Sequence, residues 1–61
     1  MKDFDRYVLL LMDLGEYTEA KAAEIWRREL KGCRSIRERD QKCYLLLEER
    51  RAKIGLAPIC E

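Results

Sequence analysis

Apolar residues recur along this chain at spacings of three and four, which is the period of an α-helix rather than of a strand. The first such stripe consists of Phe4, Tyr7, Val8, Leu11 and Leu14. Aspartates precede it and Gly15 follows it, as is typical of helix starts and ends. The pattern predicts a first helix over residues 3–14.

A second helix is predicted over residues 18–31. Thr18 offers a hydroxyl for the N-terminal cap, and Gly32 follows the last helical residue. The inner face of this helix is expected to carry Ala22, Ala23, Trp26 and Leu30.

A third helix is predicted over residues 36–54. It is preceded by Ser35, which with Glu38 has the spacing of a capping box. Gly55 is expected to end the helix, with Leu56 folding back onto its last turn. The core stripe of this helix is expected to be Ile36, Cys43, Leu47 and Ile54.

These elements predict an all-α fold, a small three-helix domain over residues 1–61 in which a helical hairpin is joined to a longer third helix. A domain of about 60 residues buries only about 60% of its unfolded surface, so its stability is marginal and self-association is expected. The predicted core consists of Phe4, Val8, Leu11, Leu14, Ala23, Trp26, Leu30, Ile36, Cys43, Leu47 and Ile54.

Three successive leucines, at positions 45–47, lie within the third helix. A helix turns about 100° per residue, so they cannot all face one core, and Leu45 falls about 180° from the core stripe. Leu9 and Met12 are expected on the outer side of the first helix, away from Val8, and Ile25 at the edge of the second. A single exposed leucine needs no function, but four surplus apolar residues favour contact with another chain. The predicted protein interface is Leu9, Met12, Ile25 and Leu45.

The turn between the first two helices, residues 15–20, resembles the inter-helix turn of tetratricopeptide repeats. Phe4, Ala20 and Leu30 stand at plausible packing positions of that family. The resemblance covers about half of the chain, which departs from the family at Val8 and Arg27, usually small residues, and at Gly32, usually proline. A single repeat also lacks stacking neighbours. What the resemblance implies is an antiparallel helical hairpin, and no peptide-binding residue of the family is carried over.

Charge is unevenly distributed along the chain. Residues 1–19 hold two basic and five acidic side chains, whereas residues 20–42 hold eight basic and four acidic ones. Basic residues around the connection between the second and third helices, called the basic elbow below, could contact phosphates. A small nucleic-acid-binding transcriptional regulator is therefore the alternative function. The sequence pI of about 7.7 and the interleaved acids instead favour solvated faces or an acidic partner. The candidate contacts are Arg27, Arg28, Lys31, Arg34, Arg37 and Arg39.

Catalytic, cofactor and metal motifs are not recognisable in the sequence. It contains no histidine, and its three cysteines are widely spaced. We therefore expect no enzyme, no cofactor, no metal site and reduced thiols. Cys43 is expected in the core, with no role for Cys33 or Cys60.

The longest apolar run, residues 7–12, is too short for a membrane span or a signal-peptide core. A cytoplasmic protein without a membrane partner is expected. Together these features predict a small non-enzymatic protein-binding regulator, inhibitor or assembly adaptor that forms a homodimer.

Overall fold

Three helices joined by short connections make up the fold. The structure, a computed structural model, describes residues 2–59. Helix α1 spans Asp3–Gly15, α2 spans Glu19–Ile25 and α3 spans Ile36–Lys53, and a π-helical turn, Trp26–Leu30, continues α2. The predicted all-α, three-helix architecture is confirmed. No helix in the described part of the chain is both long and apolar enough to cross a membrane.

The helices run up, down and up. Phe4 at the start of α1 packs edge-to-face on Trp26 after the end of α2, with ring centroids 6.1 Å apart, so α1 and α2 form an antiparallel hairpin. Arg39 in the first turn of α3 bonds Asp3 at the start of α1, and Arg50 near the end of α3 bonds the last residue of α1. The helices α1 and α3 are therefore parallel.

The predicted caps form at the starts of α2 and α3. The Thr18 hydroxyl accepts a hydrogen bond from the Lys21 backbone N–H at 3.2 Å, and the Ser35 hydroxyl accepts one from the Glu38 N–H at 3.1 Å. Each bond satisfies a backbone donor that the helix itself cannot pair. Local sequence thus accounts for where both helices begin.

The end of α3 is the predicted Schellman motif. The Leu56 N–H donates to the Arg51 carbonyl at 2.8 Å, and the Gly55 N–H donates to the Ala52 carbonyl at 3.4 Å. Gly55 has a φ of +81°, a left-handed conformation that costs glycine little.

The buried apolar residues are contributed by all three helices and the π-helical turn. They are Tyr7, Val8, Leu11, Ala22, Leu30, Cys43 and Leu47. Half-buried predicted core residues pack around them, namely Leu14, Ala23 and Trp26. Tyr7 and Ala22, which were not in the predicted core, belong to the helix stripes that the spacing indicated.

Two predicted core residues of α3 are exposed instead, Ile36 by 59% and Ile54 by 38%. The reason is length: α3 has 18 residues and is about 27 Å long, whereas α1 has 13 and is about 20 Å long. Arg39 and Arg50 lie level with the two ends of α1. Ile36 and Ile54, one turn further out, therefore project beyond the helix that would have covered them.

Arginines of α3 hold the C-terminal end of α1, which has no basic residue in its own last turn. Arg50 Nε donates to the Gly15 carbonyl at 3.3 Å, and the Arg51 guanidinium donates to the Leu14 carbonyl. Positive charge is favourable at a helix C-terminus, so these bonds also fix the position of α3 along α1.

Gly15 is required for close packing rather than for a special backbone conformation. The left-handed residue after α1 is Glu16, with a φ of +54°. A Cβ on Gly15 would lie 2.9 Å from Leu47 Cδ2 and 2.8 Å from Tyr17 Cδ2. The absent side chain lets the end of α1 approach α3.

Gly15→Ala is expected to lower the free energy of unfolding by about 1–3 kcal/mol, because the added methyl group overpacks the contact with Leu47. Gly32→Ala is the matched control, since no atom lies within 4 Å of a Cβ there, and it should change stability by less than about 0.5 kcal/mol. Urea denaturation followed by circular dichroism measures both, and equal effects would contradict the packing role of Gly15.

The π-helical turn was not predicted from the sequence, which indicated a regular helix to residue 31. The Lys31 N–H donates to the Trp26 carbonyl at 2.8 Å, five residues back. The Trp26 ring stacks on Tyr7 of α1, with centroids 5.6 Å apart and planes 21° apart. Neither glycine nor proline interrupts this segment, so local sequence carries no signal for the wider turn.

Candidate binding surface

An apolar groove of about 690 Å³ runs between α1 and α2, and it is called the hairpin groove below. Its α1 wall carries Phe4, Asp5, Val8, Leu9 and Met12, and its α2 wall carries Glu19, Ala20 and Ala23. The α2 wall is low because alanine side chains are short. Phe4 and Leu9 on the α1 wall therefore remain exposed.

Leu9 and Leu45 are the most exposed of the four predicted interface residues, by 53% and 57%. Met12 and Ile25 are half-buried and pack against the core. The structure brings Leu9 and Met12 together in the hairpin groove and places Ile25 and Leu45 outside it. The four residues therefore do not form one surface.

Met12 lines the hairpin groove beside Val8, so the expectation that it faces away from Val8 is wrong. Four residues of α-helix turn through about 400°, which leaves these two side chains only about 40° apart.

Phe4 is the third predicted core residue that the structure exposes, by 39%. Trp26 contacts its ring edge-to-face, while the ring also lines the hairpin groove. The apolar residues of α2 that line the groove with Phe4 are Ala20 and Ala23, whose side chains are short. The spacing of apolar residues in one helix cannot show that the facing side chains of the neighbouring helix are too small to cover them.

Carboxylates flank the hairpin groove. Asp5 stands on the α1 wall and Glu19 on the α2 wall, and both are exposed. The salt bridges found among residues 2–59 involve other acids, namely Asp3, Glu24 and Glu29. The groove thus combines an apolar floor with acidic side chains that lack an ion-pair partner within the described chain.

Leu9 also lines a second, smaller groove of about 310 Å³ between α1 and α3. The other side chains in this groove are Arg6, Leu10, Asp13 and Tyr44. Tyr44 is 39% exposed and was not predicted as a site residue. Leu9 is therefore the ridge between two grooves, which makes it the most accessible apolar point of α1.

Leu45 faces away from the bundle on α3. Its neighbour Leu47 is fully buried and Leu46 is half-buried, so the three leucines divide among three environments as the helix period requires. Leu45 lines neither the hairpin groove nor the smaller groove beside it.

Of the six basic candidates, all except Arg39 are exposed: Arg27, Arg28, Lys31, Arg34 and Arg37. Arg28 forms an ion pair with Glu24, four residues earlier on the helix, at 3.2 Å. Exposed pairs of this kind contribute little to stability, so Arg28 can exchange its partner at low cost.

Arg39 points into the structure, and only 14% of its side chain is exposed. Its guanidinium donates to Asp3 Oδ2 at 2.7 Å and to the carbonyls of Leu30 at 3.1 Å and Cys33 at 3.3 Å. It also lies over the Trp26 ring, 5.1 Å from the centroid. Arg39 links α3 to the start of α1 and to the segment that follows α2, so its guanidinium is occupied within the chain and is set apart from the other five cations.

Two buried groups hold their protons tightly. Burial, reinforced by the hydrogen bond from the Tyr7 hydroxyl to Asp40, raises the pKa of Tyr7 to about 12. Burial, together with the nearby charge of Asp40, raises the pKa of the Cys43 thiol to about 11. Cys43 is therefore a protonated core residue at neutral pH, the opposite of an activated nucleophile.

The free energy of unfolding is expected to fall as the pH rises above about 9. Both groups have a higher pKa in the folded chain than the usual 9.0 of Cys43 and 10.0 of Tyr7, so the stability they contribute is complete below those values and is lost as the pH approaches about 11 and 12. Urea denaturation between pH 7 and 11 measures the decline.

Cys43→Val removes the thiol titration, so the decline should then begin about one pH unit later, with Tyr7 alone. An unchanged profile in this variant would show that Cys43 does not contribute to the alkaline loss of stability.

Cys33 is half-buried, with Sγ 3.6 Å from the Glu29 carbonyl, and Cys60 lies outside the described residues. Among residues 2–59, no group of three or more cysteine or acidic side chains is arranged to hold a metal ion.

No protein-family model matches this chain, and neither a curated protein nor a solved structure matches it.

Proposed function

We propose that this chain is a small non-enzymatic protein-binding module, a regulator, inhibitor or assembly adaptor, that docks a second polypeptide in the hairpin groove. The observation that carries the proposal is the exposure of Leu9, which is 53% accessible although the adjacent Val8 is buried. Leu9 stands where two grooves meet, so a partner seated in either groove contacts it.

The apolar groove favours a partner of substantial size. Covering the exposed halves of Phe4 and Leu9 contributes about 1 kcal/mol each, from the roughly 1.5–3 kcal/mol of a fully buried side chain. Association costs at least about 4 kcal/mol. The partner therefore has to fill the groove along its length, with Leu9 and Phe4 as its central contacts.

A photoreactive amino acid placed at position 9 tests the groove directly. We expect it to form a covalent adduct with a partner protein in cells that express the full chain, and we expect Met12→Asp, in the same groove, to abolish the adduct. The same photoreactive residue at position 28, exposed on another face, is the matched control. No adduct from position 9, or identical adducts from both positions, would refute docking in the groove.

Leu45 supports a second part of the proposal, which is self-association through the outer face of α3. The Leu45 side chain is 57% exposed, and it does not line the hairpin groove. Light scattering over a concentration series is expected to show a mass rising from 7.3 kDa towards twice that value. Leu45→Asp should hold the mass at the monomer value and Leu9→Asp should not. A wild-type monomer at every concentration would refute the homodimer.

Nucleic-acid binding is the second candidate function, supported by the exposure of Arg27, Arg28, Lys31, Arg34 and Arg37 around the α2–α3 connection. Five phosphate contacts predict a slope of about −4.5 in a plot of log affinity against log salt concentration. Binding to a DNA duplex at low ionic strength, repeated as salt is added, tests it, and the absence of a salt-sensitive complex would remove this candidate.

A further inference from the structure

The two carboxylates of the hairpin groove stand at opposite ends and on opposite walls. Asp5 is in the first turn of α1, and Glu19 is the first residue of α2. Because α1 and α2 are antiparallel, the start of α2 lies beside the end of α1. A partner in the groove therefore meets one negative charge near each end, on alternate sides.

The length of the groove suits two turns of helix. Its α1 wall extends from Phe4 to Met12, a rise of about 12 Å at 1.5 Å per residue. A helix with apolar residues at positions i, i+4 and i+7 places its outer anchors about 10.5 Å apart. Such a helix would cover Phe4, Leu9 and Met12 in turn.

The exposed faces of α3 in a second copy of this chain do not supply such a helix. Leu45, the exposed leucine of α3, has Glu48 and Glu49 one turn further along, and these would meet the acidic groove with like charge. Ile36 stands near arginines, but one and two turns later Arg39 and Cys43 are turned into the bundle. Neither face offers three apolar anchors with cations beside them.

From this charge pattern and length we infer that the occupant of the hairpin groove is an amphipathic helix of a different protein, with Lys or Arg on both sides of its apolar face. The inference rests on the proposed function and specifies its partner. Asp5 and Glu19 select the cationic flanks, and the apolar wall of α1 receives the anchors.

Two synthetic 16-residue helical peptides serve as probes. Both carry leucines at i, i+4 and i+7, and one has lysines and the other glutamates at the flanking positions. Fluorescence anisotropy at low ionic strength is expected to show about tenfold tighter binding of the lysine peptide, because two attractive contacts replace two repulsive ones. The double variant Asp5→Lys with Glu19→Lys should reverse the preference, and Glu48→Lys with Glu49→Lys, on α3, should leave it unchanged.

Circular dichroism of every variant confirms that it is folded. Equal binding of the two peptides would refute the inference that the partner helix is cationic. A preference for the lysine peptide that persists when the charges at Asp5 and Glu19 are reversed would refute it as well. Binding of both peptides that is lost in Leu9→Asp would then leave the proposed docking in the groove intact. If neither peptide binds, the inferred helix is overturned, while the adduct from position 9 still decides the proposed function by itself.

Discussion

Leu47→Ala is expected to lower the free energy of unfolding by about 2–5 kcal/mol, whereas Leu45→Ala should change it by less than about 0.5 kcal/mol. Leu47 is fully buried against the end of α1, where it meets Gly15, and its truncation leaves a cavity. Leu45 is 57% exposed. The same substitution two residues apart on one helix thus separates the inner face from the outer face of α3.

The expected loss is large relative to the total stability. A chain of 61 residues has an unfolding free energy of about 3–9 kcal/mol at the usual value per residue, so Leu47→Ala could leave the chain mostly unfolded. Circular dichroism at 222 nm during urea denaturation measures both variants, and Trp26, the only tryptophan, gives a second signal. Equal losses in the two variants would contradict the orientation of α3.

Arg39→Ala is expected to lower the free energy of unfolding by about 2–4 kcal/mol. The guanidinium pairs with Asp3 on α1 and donates to the carbonyls of Leu30 and Cys33 after α2. Its removal breaks all three of these hydrogen bonds and takes the cation away from the Trp26 ring. Arg39→Lys should recover only part of the loss, because a single ammonium cannot reproduce the planar set of donors.

Arg37→Ala is the matched control for Arg39→Ala, since Arg37 is on the same turn of α3 but exposed. It should change stability by less than about 0.5 kcal/mol. Near-ultraviolet circular dichroism reports on Trp26, over which the Arg39 guanidinium lies, and this signal should change only in the Arg39 variants. A loss in Arg39→Ala no greater than in Arg37→Ala would show that the contacts of Arg39 do not stabilise the packing of the helices.

For individual residues of the candidate site, the sequence was sufficient to predict exposure. Leu9 and Leu45 were predicted as exposed apolar residues from the helix period, and the structure exposes both. Their separation onto different surfaces could not be predicted, because a helix wheel describes one helix and a surface is formed by two. The hairpin groove exists because short side chains of α2, Ala20 and Ala23, face longer ones of α1.

The basic elbow illustrates the same limit. Six cations were grouped by their proximity in sequence, and five of them are exposed. Arg39 is different because the start of α1 and the end of the π-helical turn meet at its position on α3, where its guanidinium donates to a carboxylate and two carbonyls. Nothing in the composition of residues 34–39 distinguishes this arginine from Arg37.

The sequence by itself determined the all-α class, the three helices, the caps at Thr18 and Ser35, and the Schellman end at Gly55, because these depend on residues within one or two turns of each other. Only the tertiary structure decided how far the helices overlap. Since α3 is longer than α1, the apolar stripe of α3 is buried only where α1 lies beside it, and Ile36 and Ile54 at its two ends are left in solvent.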